Sequence, residues 1–172
     1  MYKRLAKAYS YDGTRKLTDI KGIVIHWTSG SFDTARNNVD FFATSNTRYA
    51  GAHFFTDKKG YAGRSLPLKY IANAVGGGVM GDGGKKYYNI LNNTNTVSIE
   101  LCSSTYKEPY NRKQIKRTKK LIKYIRRKCP NIRYIARHYD INGKCCPATL
   151  ITPARWKQFV KDVGCTDLKY TL

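Results

Sequence analysis

Three side chains of this 172-residue chain have the chemistry of zinc ligands: His26, His138 and Cys146. His26 ends a short apolar run, and Cys146 follows His138 by eight residues, directly before a proline. Zinc prefers imidazole and thiolate ligands, and three protein ligands with one open position are typical of a catalytic site. Taken singly, each residue fits a packed core side chain better than a ligand. Together they indicate metal-assisted hydrolysis, in which zinc activates water and polarises a carbonyl.

Strands that carry the candidate residues are predicted from short β-branched and apolar runs. Residues 21–27 form such a run, with His26 at its end. Residues 96–102 alternate in polarity and place Glu100 on a strand. Three further strands are predicted at residues 52–56, after a turn at residues 57–60, and at residues 132–137.

Helices are predicted where apolar residues repeat at helical spacing. One covers residues 34–44 after Asp33, which is a suitable N-cap. A second covers residues 112–128, with its apolar residues on one face and Lys and Arg over the rest. A third runs from Pro153 to about residue 163.

The intervening segments are predicted to be irregular. Residues 68–74 are interpreted as a helical turn, and residues 138–147 as a loop. Residues 76–95 are rich in Gly and Asn and form a long loop, whose Tyr87 and Tyr88 are expected to line a substrate groove.

The order of these elements predicts a single α/β domain over residues 1–172. Strands alternate with helices, and no linker, repeat or change of composition divides the chain. A chain of this length buries enough apolar surface to fold without disulfides. The five cysteines are therefore expected to be thiols or metal ligands. No apolar run approaches the length needed to cross a membrane.

The net charge is the most extreme property of the sequence. Lys and Arg number 32 against 11 Asp and Glu, which gives +21. Such a charge favours an anionic partner: nucleic acid, anionic lipid or an anionic polymer of a bacterial wall. The Lys-rich helix is explained either as a solvated face or as an attachment surface for anionic wall polymers. Charge by itself does not choose among these partners.

Four segments of the chain share their order and spacing with one enzyme family. They are IVIHWTSG at 23–30, AHFFTDKKG at 52–60, TVSIEL at 96–101 and RHYDINGKCCP at 137–147. Over about residues 21–163 the chain resembles the zinc-dependent N-acetylmuramoyl-L-alanine amidases of the type 2 family. That family includes phage endolysins such as T7 lysozyme and the peptidoglycan recognition proteins.

The resemblance implies a fold, a reaction and a set of site residues. It implies a central mixed β-sheet flanked by helices, with zinc in a surface groove. The implied reaction cleaves the amide bond between N-acetylmuramic acid and the L-alanine of the stem peptide in bacterial peptidoglycan. The zinc ligands of the family match His26, His138 and Cys146. Its catalytic carboxylate matches Glu100, and its oxyanion-stabilising cation matches Lys144.

Those roles agree with the chemistry of amide hydrolysis. Glu100 would take a proton from the attacking water and pass it to the alanine nitrogen, and Lys144 would help to neutralise the oxyanion. Without the resemblance, Glu100 fits a surface ion pair and Lys144 fits solvated surface.

Four positions stay open at this point. Ala52 stands where T7-lysozyme-like members have tyrosine, so general catalysis would rest on Glu100. His53 either lines the cleft, donates a hydrogen bond to a ligand, or is an ordinary strand histidine. Asp140 either orients a ligand imidazole or caps a turn. Cys145 competes with Cys146 for the metal, and spacing favours Cys146.

The expected biology is that of a monomeric phage endolysin that lyses a bacterial cell. The first 20 residues lack the apolar run of a secretory signal, so we expect the host cytoplasm until lysis and the cell wall afterwards. Two alternatives remain: a binding-only peptidoglycan recognition module, and a basic nucleic-acid-binding or regulatory protein. The complete ligand set argues against the first, and the lack of a nucleic-acid motif argues against the second.

Overall fold

A six-stranded mixed sheet forms the centre of the molecule in the computed structural model, which describes residues 1–76 and 78–172. The strands are β1 (Tyr2–Lys3), β2 (Tyr11–Thr14), β3 (Gly22–Trp27), β4 (Phe54–Thr56), β5 (Ala62–Arg64), β6 (Tyr70–Ala72), β7 (Thr96–Leu101) and β8 (Tyr134–Arg137). The helices are α1 (Ala35–Thr44), α2 (Arg112–Lys128), α3 (His138–Asn142) and α4 (Pro153–Val163).

The sheet has the strand order β1-β5-β4-β7-β3-β8. Strand β3 lies between β7 and β8 and is parallel to both. Strand β4 is parallel to β7 and antiparallel to β5. Strands β2 and β6 form a separate antiparallel pair. The predicted α/β fold with a central mixed sheet is therefore confirmed.

Helices cover both faces of this sheet because side chains of a strand alternate between its faces. Ile23 and Ile25 of β3 belong to the main apolar core, which they share with α2 and α4. Phe55 of β4 packs with Ala35 and Val39 of α1 in a second cluster. Consecutive residues of each central strand therefore face different helices, and His26 lies on the face of β3 opposite to Ile25.

Most predicted elements are confirmed, including β3, β7, α2 and α4. The predicted N-cap of α1 is wrong by one residue. The Oγ1 of Thr34 accepts the backbone N–H of Asn37 at 3.1 Å. Asp33 instead accepts the backbone N–H of Ser103, so a contact distant in sequence takes its carboxylate.

Two predicted irregular segments contain regular structure. Residues 68–74 are not a helical turn, because Tyr70–Ala72 forms β6 and pairs with β2. Strand β2 comes from the basic N-terminal stretch, where the sequence pattern predicted no strand. Residues 138–147 begin with the short helix α3 instead of a loop. Within the described part of residues 76–95, the regular structure is one 3-10 turn, Asn93–Asn95.

No helix in the described part of the chain has the length and apolar character needed to span a bilayer.

Candidate metal centre and cleft

The ends of three parallel strands place the candidate residues at one edge of the sheet. His26 and Glu100 face each other in the register of β3 and β7. Ile25 pairs with Arg137 at the end of β8, and His138 follows as the first residue of α3. Parallel strands end at the same edge, so residues far apart in sequence meet there.

His26, His138 and Cys146 form a buried cluster. Their ligand atoms all lie within 4.8 Å of one another. The Nδ1 of His26 is 3.7 Å from the Cys146 Sγ, and the two imidazole rings have centroids 4.8 Å apart. The exposed fraction of each residue is 3–6%. The three predicted zinc ligands are thus brought together, which no local sequence pattern ensures.

A tight turn after α3 returns the chain so that Cys146 reaches the cluster. Gly143 ends α3 with φ +85°, a conformation that favours glycine. A Cβ at Gly143 would lie 2.5 Å from the Gly81 carbonyl oxygen, so a larger residue would also collide with the adjacent loop. Gly143 therefore links the two ends of the HYDINGKCC segment.

The hydrogen bonds of the two imidazoles leave one nitrogen of each ring without a partner. The Nε2 of His138 donates to the Val75 carbonyl at 3.0 Å. The Nδ1 of His138 is then a buried acceptor with no hydrogen-bond partner, and the Nε2 of His26 is also buried and unpartnered. Buried polar atoms are rarely left unsatisfied. A divalent cation held by these residues would satisfy this acceptor, so the donor set fits zinc.

Burial sets the protonation of the cluster. Burial, assisted by the neighbouring His138 and Lys144, lowers the pKa of His26 well below its usual range. Burial and Lys144 lower the pKa of His138 to about 4. Both rings are therefore neutral at pH 7, which is the ligand form. Burial raises the pKa of Cys146 to about 12, so the thiol requires a cation to become a thiolate.

Glu100 lies beside the cluster in a setting that favours its protonated form. Its Oε2 is buried and has no hydrogen-bond partner. Burial raises the pKa of Glu100 to about 8, while Lys144 opposes the rise and Asp33 adds to it. A carboxyl group with a pKa near neutral pH can both accept and release a proton during catalysis.

The cluster opens into a cleft of about 300 Å³. Lys144 is exposed and lines this cleft, whereas Cys145 is exposed and lies outside the cluster. Of the two adjacent cysteines, Cys146 is thus the one that lies in the cluster, and its role as a metal ligand stays a prediction. Phe41, Phe42 and Arg48 also line the cleft, and none of the three was predicted from the sequence. They lie on α1 and the segment after it, and no chemical motif marks them.

Tyr87 and Tyr88 do not line the cleft, so this prediction is wrong. Tyr87 packs its ring against Tyr134, with ring centroids 5.3 Å apart, and contacts the small apolar cluster of Val24 and Leu91. Tyr88 is exposed elsewhere. The residue just before the long loop contributes to the site instead, because the Val75 carbonyl holds His138.

His53 is buried directly before β4 and does not line the cleft. Its Nδ1 accepts the backbone N–H of Ser98 at 3.1 Å, and its Nε2 donates to the Tyr70 carbonyl at 3.0 Å. Burial, with the nearby Arg15, lowers the pKa of His53 to about 3. Neither ring nitrogen contacts a candidate ligand, so His53 joins β4, β6 and β7 as a neutral hydrogen-bonding group.

Asp140 caps α3 and does not orient an imidazole. It accepts the backbone N–H of Arg137 at 2.8 Å and forms a buried ion pair with the Arg137 guanidinium at 2.7 Å. The Oγ1 of Thr171 donates to the same carboxylate. Asp140 therefore fixes the start of α3, and with it the backbone of His138, to the C-terminal segment.

Comparisons with known proteins identify a family and known structures of the same fold. Residues 16–149 match the family model described as N-acetylmuramoyl-L-alanine amidase. A probable N-acetylmuramoyl-L-alanine amidase of Bacillus licheniformis is 29% identical over 148 residues, which cover 81% of this chain and 39% of that protein. The amidase CwlL of the same species is 26% identical over 144 residues, covering 80% and 38%. The chain thus spans about two fifths of the length of these curated relatives.

Solved structures share the fold over nearly the whole chain. The structure of PlyL has a TM-score of 0.74 at 22% identity and covers 95% of this chain and 96% of its own. The PlyG catalytic domain has a TM-score of 0.74 at 23% identity and covers 99% and 98%. The Ph2119 endolysin of a Thermus scotoductus bacteriophage has a TM-score of 0.61 at 17% identity and covers 91% of each chain. With the family model matched over most of its length, this chain belongs to the type 2 family of N-acetylmuramoyl-L-alanine amidases.

Proposed function

We propose that the chain is a zinc-dependent amidase that hydrolyses the bond between N-acetylmuramic acid and the L-alanine of the stem peptide in bacterial peptidoglycan. One observation carries the proposal: two buried imidazoles and a thiol converge beside Glu100 in an open cleft, with one imidazole acceptor left unsatisfied. Family membership supports the same reaction class.

His26, His138 and Cys146 would hold the zinc ion. When bound, zinc supplies a Lewis acid for the carbonyl oxygen and an activated water. The Val75 carbonyl fixes the His138 ring, so one ring nitrogen is presented to the cluster. The buried Arg137–Asp140 pair holds the backbone from which His138 projects.

Glu100 and Lys144 would carry the proton transfer and the charge stabilisation. Glu100 accepts the proton of the attacking water and delivers it to the leaving alanine nitrogen, for which a pKa near neutrality is well suited. Lys144 stands at the mouth of the cleft and neutralises negative charge that develops on the carbonyl oxygen.

The biological setting follows from this activity and the endolysin-like family. We assign residues 1–172 to one amidase catalytic domain of a phage endolysin, acting as a monomer. It would stay in the host cytoplasm until lysis and then reach the wall. A complete set of three ligands favours an enzyme over a binding-only recognition module.

The test is the release of L-alanine amino groups from purified peptidoglycan. We expect a zinc chelator to abolish release and added zinc to restore it. Glu100→Gln should reduce turnover by about 10²–10⁴-fold, the range for a general acid-base group, while the zinc content stays unchanged. Glu108→Gln is the matched control, because Glu108 is the other glutamate of the chain and is exposed.

Two outcomes would contradict the proposal. Release of reducing sugar ends instead of amino groups would indicate a glycosidase. Retention on peptidoglycan without release of either product, with zinc present, would indicate the binding module.

A further inference from the structure

We propose that the exposed face of α2 and the turn between β4 and β5 form a linear binding site for a phosphate-containing anionic polymer of the cell wall. Its central residues are Lys59, Lys116, Arg117, Lys120, Lys123 and Arg127, which we call the cationic track. The assignment to a wall polymer rests on the proposed function, whereas the track itself rests on the geometry below.

Three surface depressions run into one another along the track. The first is lined by Tyr2, Tyr61 and Arg36 and shares Lys59 and Arg117 with the second. The second shares Lys120 with the third, which Lys123, Arg126 and Arg127 complete. Helix α2 has 17 residues and therefore spans about 25 Å. A continuous groove of this length suits a chain of repeating anions better than one small anion.

The charge of α2 is almost uncompensated within the protein. Ten of its 17 residues are Lys or Arg and none is Asp or Glu. Among the described residues, the ion pair that α2 forms is between Arg126 and Asp167. Lys116 and Lys120 stand one turn apart, as do Lys123 and Arg127, and such pairs destabilise a helix.

The helix dipole favours the three cations in the last turn of α2, Arg126, Arg127 and Lys128, but disfavours the cations of its first turn. Arg112 and Lys113 begin the helix, where the helix dipole favours acidic residues. The helix is instead stabilised by Leu121, Ile122 and Ile125 in the core and by the Asn111 cap. The first-turn cations and the like-charge pairs one turn apart therefore weaken α2 in isolation, and a bound polyanion would remove this repulsion.

The lining of the track favours a phosphate polymer over single-stranded nucleic acid. The second and third depressions are lined by Lys, Arg and one glycine, with no aromatic side chain for base stacking. The one tyrosine of α2, Tyr124, packs against the main core. Recognition at these two depressions would consist of cation–phosphate contacts, and the two tyrosines, Tyr2 and Tyr61, line the first depression.

The track lies across the sheet from the cleft. Ile25 and Leu101 share the main core with α2, whereas the adjacent residues His26 and Glu100 project to the other face. A polymer on α2 therefore leaves the cleft open. This arrangement allows a wall-attached enzyme to reach peptidoglycan with its opposite face.

The experiment measures binding to poly(glycerol phosphate) purified from a Gram-positive wall. The track variant carries Lys116→Gln, Lys120→Gln and Lys123→Gln. The control carries Lys7→Gln, Lys16→Gln and Lys86→Gln, three exposed lysines outside the three depressions, so both variants lose the same net charge. Thermal melts of both variants check that the fold is retained.

We expect the track variant to lose at least tenfold in affinity at about 50 mM salt, since one surface cation is worth on the order of fivefold at an anionic surface. The control should change less than about twofold. The slope of log affinity against log salt should fall by about 2–3 for the track variant, one unit or slightly less per lost phosphate contact.

Equal losses in both variants would overturn the proposal, because binding would then depend on net charge and not on a site. Tighter binding of duplex DNA at equal phosphate concentration would assign the track to nucleic acid instead. The measurement requires no hydrolysis, so a loss of amidase activity and a loss of polymer binding are observed separately.

Discussion

The cleft and the cationic track use ionisable side chains in opposite ways. The cleft holds a few groups, largely removed from water, and the surroundings of each one decide whether it carries a charge. Burial, assisted by the nearby Lys144, keeps His26 and His138 neutral, and burial is the main cause that raises the pKa of Glu100 to about 8. The track holds many exposed cations with almost no partners on the protein.

This difference teaches where single side chains matter. A buried group is positioned by specific contacts, so its removal leaves a cavity or an unpaired partner that nothing replaces. An exposed cation acts through a summed field that salt screens over about 8 Å at physiological ionic strength. We therefore expect large effects of single substitutions in the cleft and small, additive effects on the track.

The largest effect is expected from Cys146→Ala. Loss of a residue that hydrogen-bonds to a metal ligand costs roughly 10–100-fold in metal affinity. Loss of the ligand itself should therefore reduce zinc affinity by more than this, and amidase activity should fall with it. Zinc content after dialysis and amino-group release measure both quantities. Cys145→Ala is the matched control, since Cys145 is exposed and adjacent in sequence. Zinc loss in the control instead would move the metal to Cys145.

A smaller effect is expected from Lys144→Met, which sharpens the comparison because Lys144 is the exposed cation nearest to the chemistry. Turnover of a soluble muropeptide should fall by about 10–100-fold. Removal of one oxyanion-stabilising donor costs about 100–1,000-fold in turnover, so the expected effect lies at or below the lower end of that range. This loss should be the same at low and high salt, because bound substrate excludes solvent from Lys144. A loss that disappears at high salt would group Lys144 with the track.

The smallest effect concerns pH and the buried His53. Its pKa is about 3 in the folded chain and near 6.5 when unfolded, so between these values the unfolded chain binds more protons. The contribution of His53 is thus complete above pH 6.5 and decreases as pH falls toward 3. From pH 6.5 to pH 5 the free energy of unfolding should decrease by about 2 kcal/mol for this group.

Urea unfolding of wild type and His53→Gln from pH 7 to pH 5 measures this contribution. The variant should be less stable at pH 7, and the difference should shrink by the same amount on acidification. His26 and His138 are present in both proteins, so their titration cancels. A pH-independent difference would show that His53 does not act as a neutral buried base.

The periodicity of the sequence predicts the elements whose stability is local. Residues 112–128 and 153–163 form helices with the predicted bounds, because apolar spacing agrees there with a local start signal, the Asn111 cap of the first and Pro153 of the second. Strand β6 was missed because its partner β2 lies some 60 residues earlier, and the pairing of two short strands outweighs local propensity.

The residue types that carry the chemistry can be identified from the sequence: two histidines, a cysteine before a proline, a strand glutamate and a lysine near the last ligand, together with a basic helix. Their partners depend on the tertiary structure. The Val75 carbonyl holds His138, Asp140 binds Arg137, His53 is buried away from the cleft, and separate cations join into one groove. Side-chain chemistry is a property of each residue, whereas burial and hydrogen bonding depend on which distant segments the sheet brings together.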